Sequence, residues 1–227
     1  MVDFAVTRPD TGGPSRRNRY RGIASYTGPM PRPLVIGEAD LLDNLLRAFA
    51  DLGFEGASVR ALCRHLGISH NLIHSRYQSK EAAWYAAVDH GFAQLFTDLT
   101  IESDESDDDP LELLRIGMRK YALATLDHPA LARIIQQESA RPGPRFEYML
   151  ERYITPTREL TAALLEDLQS AKVVRAGAVE AVYFFLTTWG IGGLASATAE
   201  IRGRESLRSR DVALLAVDVV IDGLRQP

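Results

Sequence analysis

The side chains best suited to chemistry in this sequence lie between Ser58 and Lys80. This stretch contains arginine, histidine, asparagine, serine and lysine but no acid, so it favours an anionic partner. Gly67 suits a turn that needs a positive φ, and Ser69 is placed to cap the helix that follows. Apolar residues recur at helical spacing on both sides of the turn: Val59, Leu62, Cys63, Leu66, Leu72 and Ile73. The pattern predicts a helix-turn-helix whose exposed face fits the major groove of DNA.

Two other kinds of chemistry fit the sequence poorly. His70 and His74 lie one helical turn apart, with His65 nearby, and such a pair can bind zinc. No acidic residue close by completes a metal site, and Cys63, the only cysteine, is expected to face the core as an inert thiol. The sequence contains no phosphate-binding glycine loop and no Gly-x-Ser-x-Gly motif. We therefore expect no metal, no cofactor and no enzymatic activity.

Composition limits the class of protein further. The chain has 227 residues, 46% of them hydrophobic, and a formal net charge of -4, so nucleic acid must be contacted through a local patch. One cysteine suits a reducing compartment. No apolar run approaches the roughly 20 residues that span a membrane, and no apolar leader is visible. We expect a cytoplasmic protein.

The elements that must position the cationic stretch are predicted to be helices. Residues 1–33, rich in proline and arginine, are expected to be an unstructured arm, or alternatively a basic arm that reaches phosphates or the minor groove. A first helix is predicted from Leu34 or Gly37 to Leu52, with Gly53 ending it, and a fourth from Ser79 to Leu99. Residues 34–99 then form one domain.

Residues 100–227 are predicted to form a second helical domain. The acidic run 102–109 reads as a solvated loop at its start. Pro156 should kink or divide one long helix, and the Val-Val pairs at 173 and 219 are read as helix edges. The fold class is all-α. The predicted helices are 111–126, 129–139, 145–169, 176–201 and 206–224.

The sequence from Leu41 to Lys80 resembles the TetR family of bacterial transcriptional regulators. The shared segments are Leu41-Leu-Asp43, Ala48-Phe49, Leu52-Gly-Phe54, Ala57-Ser-Val-Arg60, Leu66-Gly-Ile-Ser69 and Tyr77-Gln-Ser-Lys80. The resemblance implies a homeodomain-like DNA-binding domain with a recognition helix at about 69–76. It also implies an Ω-shaped homodimer whose C-terminal domain binds a small molecule and dimerises through its last two helices.

The resemblance also implies roles for individual residues. Ser58 and Lys80 match positions that contact phosphate at helix N-termini, while Tyr77 is expected to pack in the core first. Family members often carry two aromatic residues where this chain has His74 and Ser75, so Ser75 should reach less far. Asn71 can bind adenine through two hydrogen bonds. The predicted DNA-binding residues are Ser58, Arg60, Ser69, His70, Asn71, His74, Ser75, Arg76, Tyr77 and Lys80.

Further residues are predicted for the C-terminal domain. Aromatic side chains with a hydrogen-bond donor suit a mainly apolar pocket. The candidates for that pocket are Met118, Tyr121, Tyr148, Phe185 and Trp189. Apolar and small residues in the last two helices suit a four-helix dimer interface. The candidates for that interface are Phe184, Leu194, Val212, Leu215 and Val219.

These expectations combine into a repressor that binds a palindromic operator as a homodimer and is released by a small hydrophobic effector. The helix 79–99 would be the lever between two states. Two alternatives remain open: the same fold acting as an activator or an effector-independent DNA binder, and a helical dimeric interaction protein that no longer binds DNA.

Overall fold

The computed structural model describes residues 36–100, 109–185 and 210–226, and within these ranges every regular element is helical. The N-terminal arm, the acidic run up to residue 108, Trp189 and Leu194 lie outside the described residues, as does the side chain of Phe185. Among the described helices, none combines the length and apolarity that crossing a bilayer requires. The all-α class is confirmed.

The first four helices are α1 (Glu38–Gly56), α2 (Val59–Leu66), α3 (His70–Tyr77) and α4 (Lys80–Leu99). The predicted caps at Ser58 and Ser79 are present, since each hydroxyl accepts a hydrogen bond from the backbone N–H three residues on, at 3.1 and 3.0 Å. Helix α1 packs along α4. Gly91 allows this close approach, because a Cβ there would lie 2.8 Å from Leu46 Cδ2.

The remaining described helices are α5 (Pro110–Asp127), α6 (Pro129–Ser139), α7 (Pro144–Met149), α8 (Thr155–Ser170), α9 (Val179–Phe185) and α10 (Arg210–Leu224). Proline occupies the first turn of α5, α6 and α7, where its missing N–H has no helical partner to lose. The division predicted around Pro156 is confirmed. It takes the form of a π-helical segment, Leu150–Ile154, between α7 and α8.

The break predicted at Gly53 is present, since its φ of 67 interrupts the helical backbone before a short continuation to Gly56. Two other local predictions were wrong. Ser69 occupies the N-cap position of α3 without donating or accepting a side-chain capping bond; its backbone carbonyl accepts from Leu72 N–H at 3.1 Å. Val174 is not a helix edge, because it forms an isolated antiparallel bridge with Arg225 that ties the chain after α8 to the end of α10.

Two apolar clusters form the core. The first joins α1–α4 with α6 and α7, and its largest fully buried side chains include Trp84, Phe49 and Leu41. The second joins α5, α8 and α10 through residues such as Leu111, Leu165 and Val217. Helix α4 contacts α1, α5 and α6. A displacement of the second half of α4 would therefore shift side chains in both apolar clusters.

Candidate nucleic-acid interface and cavity

The turn between α2 and α3 is built as the sequence predicts. Gly67 has φ 65 and ψ 25, the left-handed conformation that costs a glycine least. The N–H of Ile68 donates to the carbonyl of Cys63 at 3.1 Å, which closes the end of α2. Leu62 and Ile73, both almost fully buried, fix the two helices to the core from opposite sides of the turn. The outer face of α3 is therefore held on a rigid support.

This outer face is polar and exposed. Eight of the ten predicted DNA-binding residues are exposed, and Tyr77 and Lys80 are half-buried. The hydroxyl of Ser75 donates to the Leu72 carbonyl at 3.1 Å, so this short side chain bonds back onto its own helix. The exposed residues are Ser58, Arg60, Ser69, His70, Asn71, His74, Ser75 and Arg76.

An acidic residue from α1 reaches this face, which the sequence around α3 did not reveal. Arg76 pairs with the carboxylate of Glu38 and also donates to the Ile36 carbonyl at 3.3 Å. Tyr77 donates its hydroxyl to the other oxygen of Glu38 at 2.6 Å. Burial and the neighbouring Glu38 carboxylate raise the pKa of the Tyr77 phenol, which is therefore neutral at physiological pH. Glu38 thus holds the C-terminal end of α3.

Lys80 at the start of α4 is likewise engaged within the protein. Its ammonium donates to the Phe54 carbonyl at 3.1 Å and lies 3.9 Å from the centre of the Phe54 ring. The guanidinium of Arg145 covers the same ring at 3.7 Å. An ammonium has three N–H donors, so contact with Phe54 leaves Lys80 able to meet a phosphate as well.

The remaining titratable groups near the turn face inward or towards α1. Cys63 is buried, and burial raises the pKa of its thiol, as expected for an inert core cysteine. His65 lies 3.7 Å from Asp51 on α1 and so points away from His70 and His74. Within the described ranges, no three histidine, cysteine or acidic side chains gather as a metal site would require.

The second half of α4 lines a cavity of about 750 Å³. Its contribution is the stripe Phe92, Leu95, Phe96 and Leu99, at the spacing of one helix face. The opposite walls come from α5, α6, the π-helical segment, α8 and α9, and they include Tyr121, Thr125, His128, Leu131, Tyr153, Arg158, Thr161, Glu180, Tyr183 and Phe184. A helix that carries Lys80 at one end thus forms a cavity wall at the other.

The predicted pocket and dimer residues fall in different places. Tyr121 lines the cavity, whereas Met118 is buried in the second core cluster and Tyr148 is bonded outside the cavity wall. Phe184, predicted for the dimer interface, lines the cavity, because α9 turns it towards α8, where the Arg158 guanidinium lies 5.5 Å from its ring. Val212 is half-buried, and Leu215 and Val219 are 63% and 65% exposed.

Helix α10 has two apolar faces. The inner face packs on α5 through Ala213, Val217 and Ile221. A salt-bridge network reinforces this contact: Arg115 of α5 is buried and donates to Asp218 at 3.0 Å and to Asp222 at 2.7 Å. The outer face exposes Leu215 and Val219 one turn apart.

The N-terminal helices match a known family. Residues 41–82 match the family model described as bacterial regulatory proteins, tetR family. This segment contains α2, the turn and α3 in full. No curated protein sequence matches the chain at a significant level.

Solved structures of similar fold cover most of the chain. The ketosteroid transcriptional regulator KstR2 of Mycobacterium tuberculosis has a TM-score of 0.65 at 20% identity, covering 83% of this chain and 94% of that protein. The TetR family transcriptional regulator PfmR from Thermus thermophilus has a TM-score of 0.64 at 21% identity, covering 85% of this chain and 100% of PfmR. At these identities the likeness concerns the fold.

The matched domain and the fold together define the class of this protein. It has the fold of TetR-family transcriptional regulators, with a helix-turn-helix at its N-terminus that matches the tetR-family model. The family resemblance predicted from the sequence is confirmed.

Proposed function

We propose that this protein regulates transcription by binding a palindromic operator as a homodimer, and that a small, mainly apolar effector releases it. The observation that carries the proposal is the position of α4. Its first residue, Lys80, adjoins α3, and its stripe from Phe92 to Leu99 forms one wall of the cavity. A ligand that displaces that stripe must also displace the support of α3.

Recognition of DNA is assigned to the exposed face of α3 and the N-terminus of α2. Asn71 can pair with adenine through two hydrogen bonds, and His70 and His74 stand on the same outward side for bases or phosphate. Ser58 and Lys80 meet phosphates at helix N-termini, where free N–H groups favour anions. These contacts make affinity depend on salt, while Asn71 contributes base preference.

Dimerisation is assigned to the outer face of α10 together with α9. Val182 of α9 is 51% exposed, and Leu215 and Val219 are more exposed still. Exposed aliphatic side chains on these two helices are typical of a surface that another subunit covers. Two such helices from each subunit make a four-helix interface, and a two-fold dimer requires half-sites about one turn of DNA apart or a multiple of it.

Release by an effector follows from two conformations with different affinities. A ligand that prefers the conformation unable to span both half-sites weakens DNA binding, and DNA weakens the ligand by the same factor. A hundredfold change requires about 2.7 kcal/mol of differential binding.

The experiment has two stages. Selection from random duplexes should enrich a palindrome. The affinity of the protein for that duplex should then be measured by titration, first with the cavity empty and again with a ligand bound in it. If a ligand in the cavity lowers the affinity for the duplex, release by an effector is supported. If it raises that affinity, an activator or a co-repressed form is supported. Absence of any enriched sequence, with no salt-sensitive binding, would favour the interaction protein that does not bind DNA.

A further inference from the structure

The ionisable side chains among the described residues of the cavity already have partners within the protein. Arg158 donates to Glu180 at 2.7 Å, and both residues line the cavity. His128 lies 2.7 Å from the Asp98 carboxylate at the end of α4. Arg158 uses only its Nε–H for its bond to Glu180, but its charge is balanced by the adjoining Glu180 carboxylate, which would repel an anionic ligand.

The deeper polar groups are neutral. Tyr121 and Tyr183 both line the cavity, and burial raises the pKa of each phenol, so neither ionises near neutral pH. They lie close enough that a charge on Tyr121 would further raise the pKa of Tyr183. A phenol can donate to, or accept from, a neutral oxygen of a ligand.

The hydroxyl groups of the wall add no charge either. Thr157 and Thr161 of α8 donate to the carbonyls four residues before them, at 2.8 and 3.1 Å. Thr125 of α5 does the same to the Tyr121 carbonyl at 2.7 Å. The rest of the wall is mainly leucine, isoleucine and phenylalanine from α4, α5 and α6. Among the described lining residues, an ion would lose hydration without gaining a counter-ion that is not already paired.

We infer that the cavity takes an uncharged, mainly apolar molecule carrying a neutral oxygen such as a hydroxyl or carbonyl, and that it rejects the corresponding ions. The inference rests on the proposed function and names its effector class, but ligand binding itself is tested without DNA.

The test uses Nile red, a neutral dye that fluoresces in apolar sites, bound to the full chain. Three competitors carry an unbranched alkyl chain of nine or ten carbons on different head groups: decanol, decanoate and decyltrimethylammonium. Decanol should displace the dye at concentrations about tenfold or more below those of either ion, because burial of an unmatched charge costs at least about this factor. Decanoate or the ammonium displacing the dye as well as decanol would overturn the inference.

Two variants locate the binding site. Thr161→Trp places an indole ring in the cavity and should weaken dye binding, while Glu159→Trp places the same ring on the exposed side of α8 and should not. Circular dichroism of both variants checks that they fold. Dye affinity that is the same in folded Thr161→Trp as in the parent protein would place the dye elsewhere and overturn the inference.

A third variant tests the charge matching directly. Glu180→Gln leaves Arg158 without its carboxylate partner. The affinity of decanoate for the cavity should therefore rise severalfold relative to that of decanol. No gain would mean that Glu180 does not exclude anions. Because none of these titrations contains DNA, failure of the inference leaves operator binding untouched. Loss of operator response with normal decanol binding would instead contradict the proposed release mechanism.

Discussion

Tyr153 donates a hydrogen bond to Asp89 at 2.7 Å while its ring stacks on Phe92 at 4.2 Å. Asp89 and Phe92 both belong to α4, and Tyr153 lies in the π-helical segment that lines the cavity. Tyr148 donates to the same Asp89 oxygen at 2.6 Å from outside the cavity wall. π-helical turns occur often at functional sites. The pair therefore joins the cavity to the helix that leads to Lys80.

Tyr153→Phe keeps the ring and removes this bond. If the Tyr153–Asp89 bond belongs to the DNA-binding conformation, the variant should bind operator about fivefold more weakly, which corresponds to about 1 kcal/mol for one hydrogen bond. By reciprocity, a cavity ligand should bind more tightly. Fluorescence anisotropy with operator and Nile red titration measure the two quantities.

Tyr148→Phe is the matched control. It removes a bond to the same Asp89 oxygen but alters no cavity wall, so dye affinity should stay within about twofold of the parent protein. Equal operator affinity of Tyr153→Phe and the parent protein would show that the Tyr153–Asp89 bond does not bias the two states.

Glu38 should restrain DNA binding. Glu38→Gln removes the carboxylate that pairs with Arg76, so non-specific affinity for duplex DNA should rise about twofold to fivefold at low salt. Asp40→Asn changes charge equally on α1 and serves as control. A fall in affinity of Glu38→Gln would mean that Glu38 positions Arg76 and Tyr77 for contact.

Arg76 and Lys80 should contribute affinity without sequence preference. Arg76→Ala with Lys80→Ala should weaken binding to all duplexes and make the slope of log affinity against log salt shallower by about one for each phosphate that is no longer neutralised. Asn71→Ala should instead reduce preference at one base pair by about 1–3 kcal/mol and leave the slope unchanged. Identical effects of the two changes would contradict this division of roles.

The outer face of α10 should hold the dimer together. Leu215→Asp with Val219→Asp places two charges on exposed apolar positions and should yield monomers at micromolar concentration, as measured by light scattering. Glu166→Asp with Asp167→Glu alters exposed acids on α8 without changing charge and should leave the mass unchanged. A double variant of α10 with the parent mass would exclude this face from the interface.

The contact between α5 and α10 should weaken in acid. Burial alone would raise the pKa of Asp218, but hydrogen bonds from Arg119 and Arg115 hold it below the ordinary value of 3.8. A lowered pKa stabilises the folded state above pH 3.8, and this contribution is lost as the pH falls through the folded value.

Asp218→Asn should therefore lower the free energy of unfolding by roughly 1 kcal/mol at neutral pH and flatten its decline in acid. Urea unfolding at a series of pH values gives both quantities, and Asp211→Asn on the same helix is the control. If the free energy of unfolding of the variant declines in acid as steeply as that of the parent protein, the salt bridges of Asp218 do not contribute to stability.

The helix-turn-helix could be predicted because its causes are local. Gly67 must adopt a positive φ, Ser58 caps α2, and the apolar spacing repeats over adjacent turns. The contact of Glu38 with Arg76 could not be read in this way, since 38 residues separate the two positions and only the packing of α1 brings them together. The same reason hid Asp51 as the partner of His65.

The cavity was only partly predictable for a related reason. An aromatic ring with a hydrogen-bond donor is a feature that the sequence shows, and it correctly indicated Tyr121, which lines the cavity. The stripe Phe92, Leu95, Phe96 and Leu99 has the spacing of any buried helix face, so periodicity alone does not distinguish a core wall from a cavity wall. The π-helical segment has no sequence pattern that would have predicted it; only Pro156 indicated a break nearby.

The most direct test of the account is a salt titration of DNA binding by the full chain. Anisotropy of the palindromic duplex recovered by selection should show tight binding with a steep salt dependence, and Asn71→Ala should reduce the preference for that duplex over a scrambled one. Binding that is absent at low salt, or that is equal for both duplexes in the parent protein, would contradict the claim that the exposed face of α3 reads operator DNA.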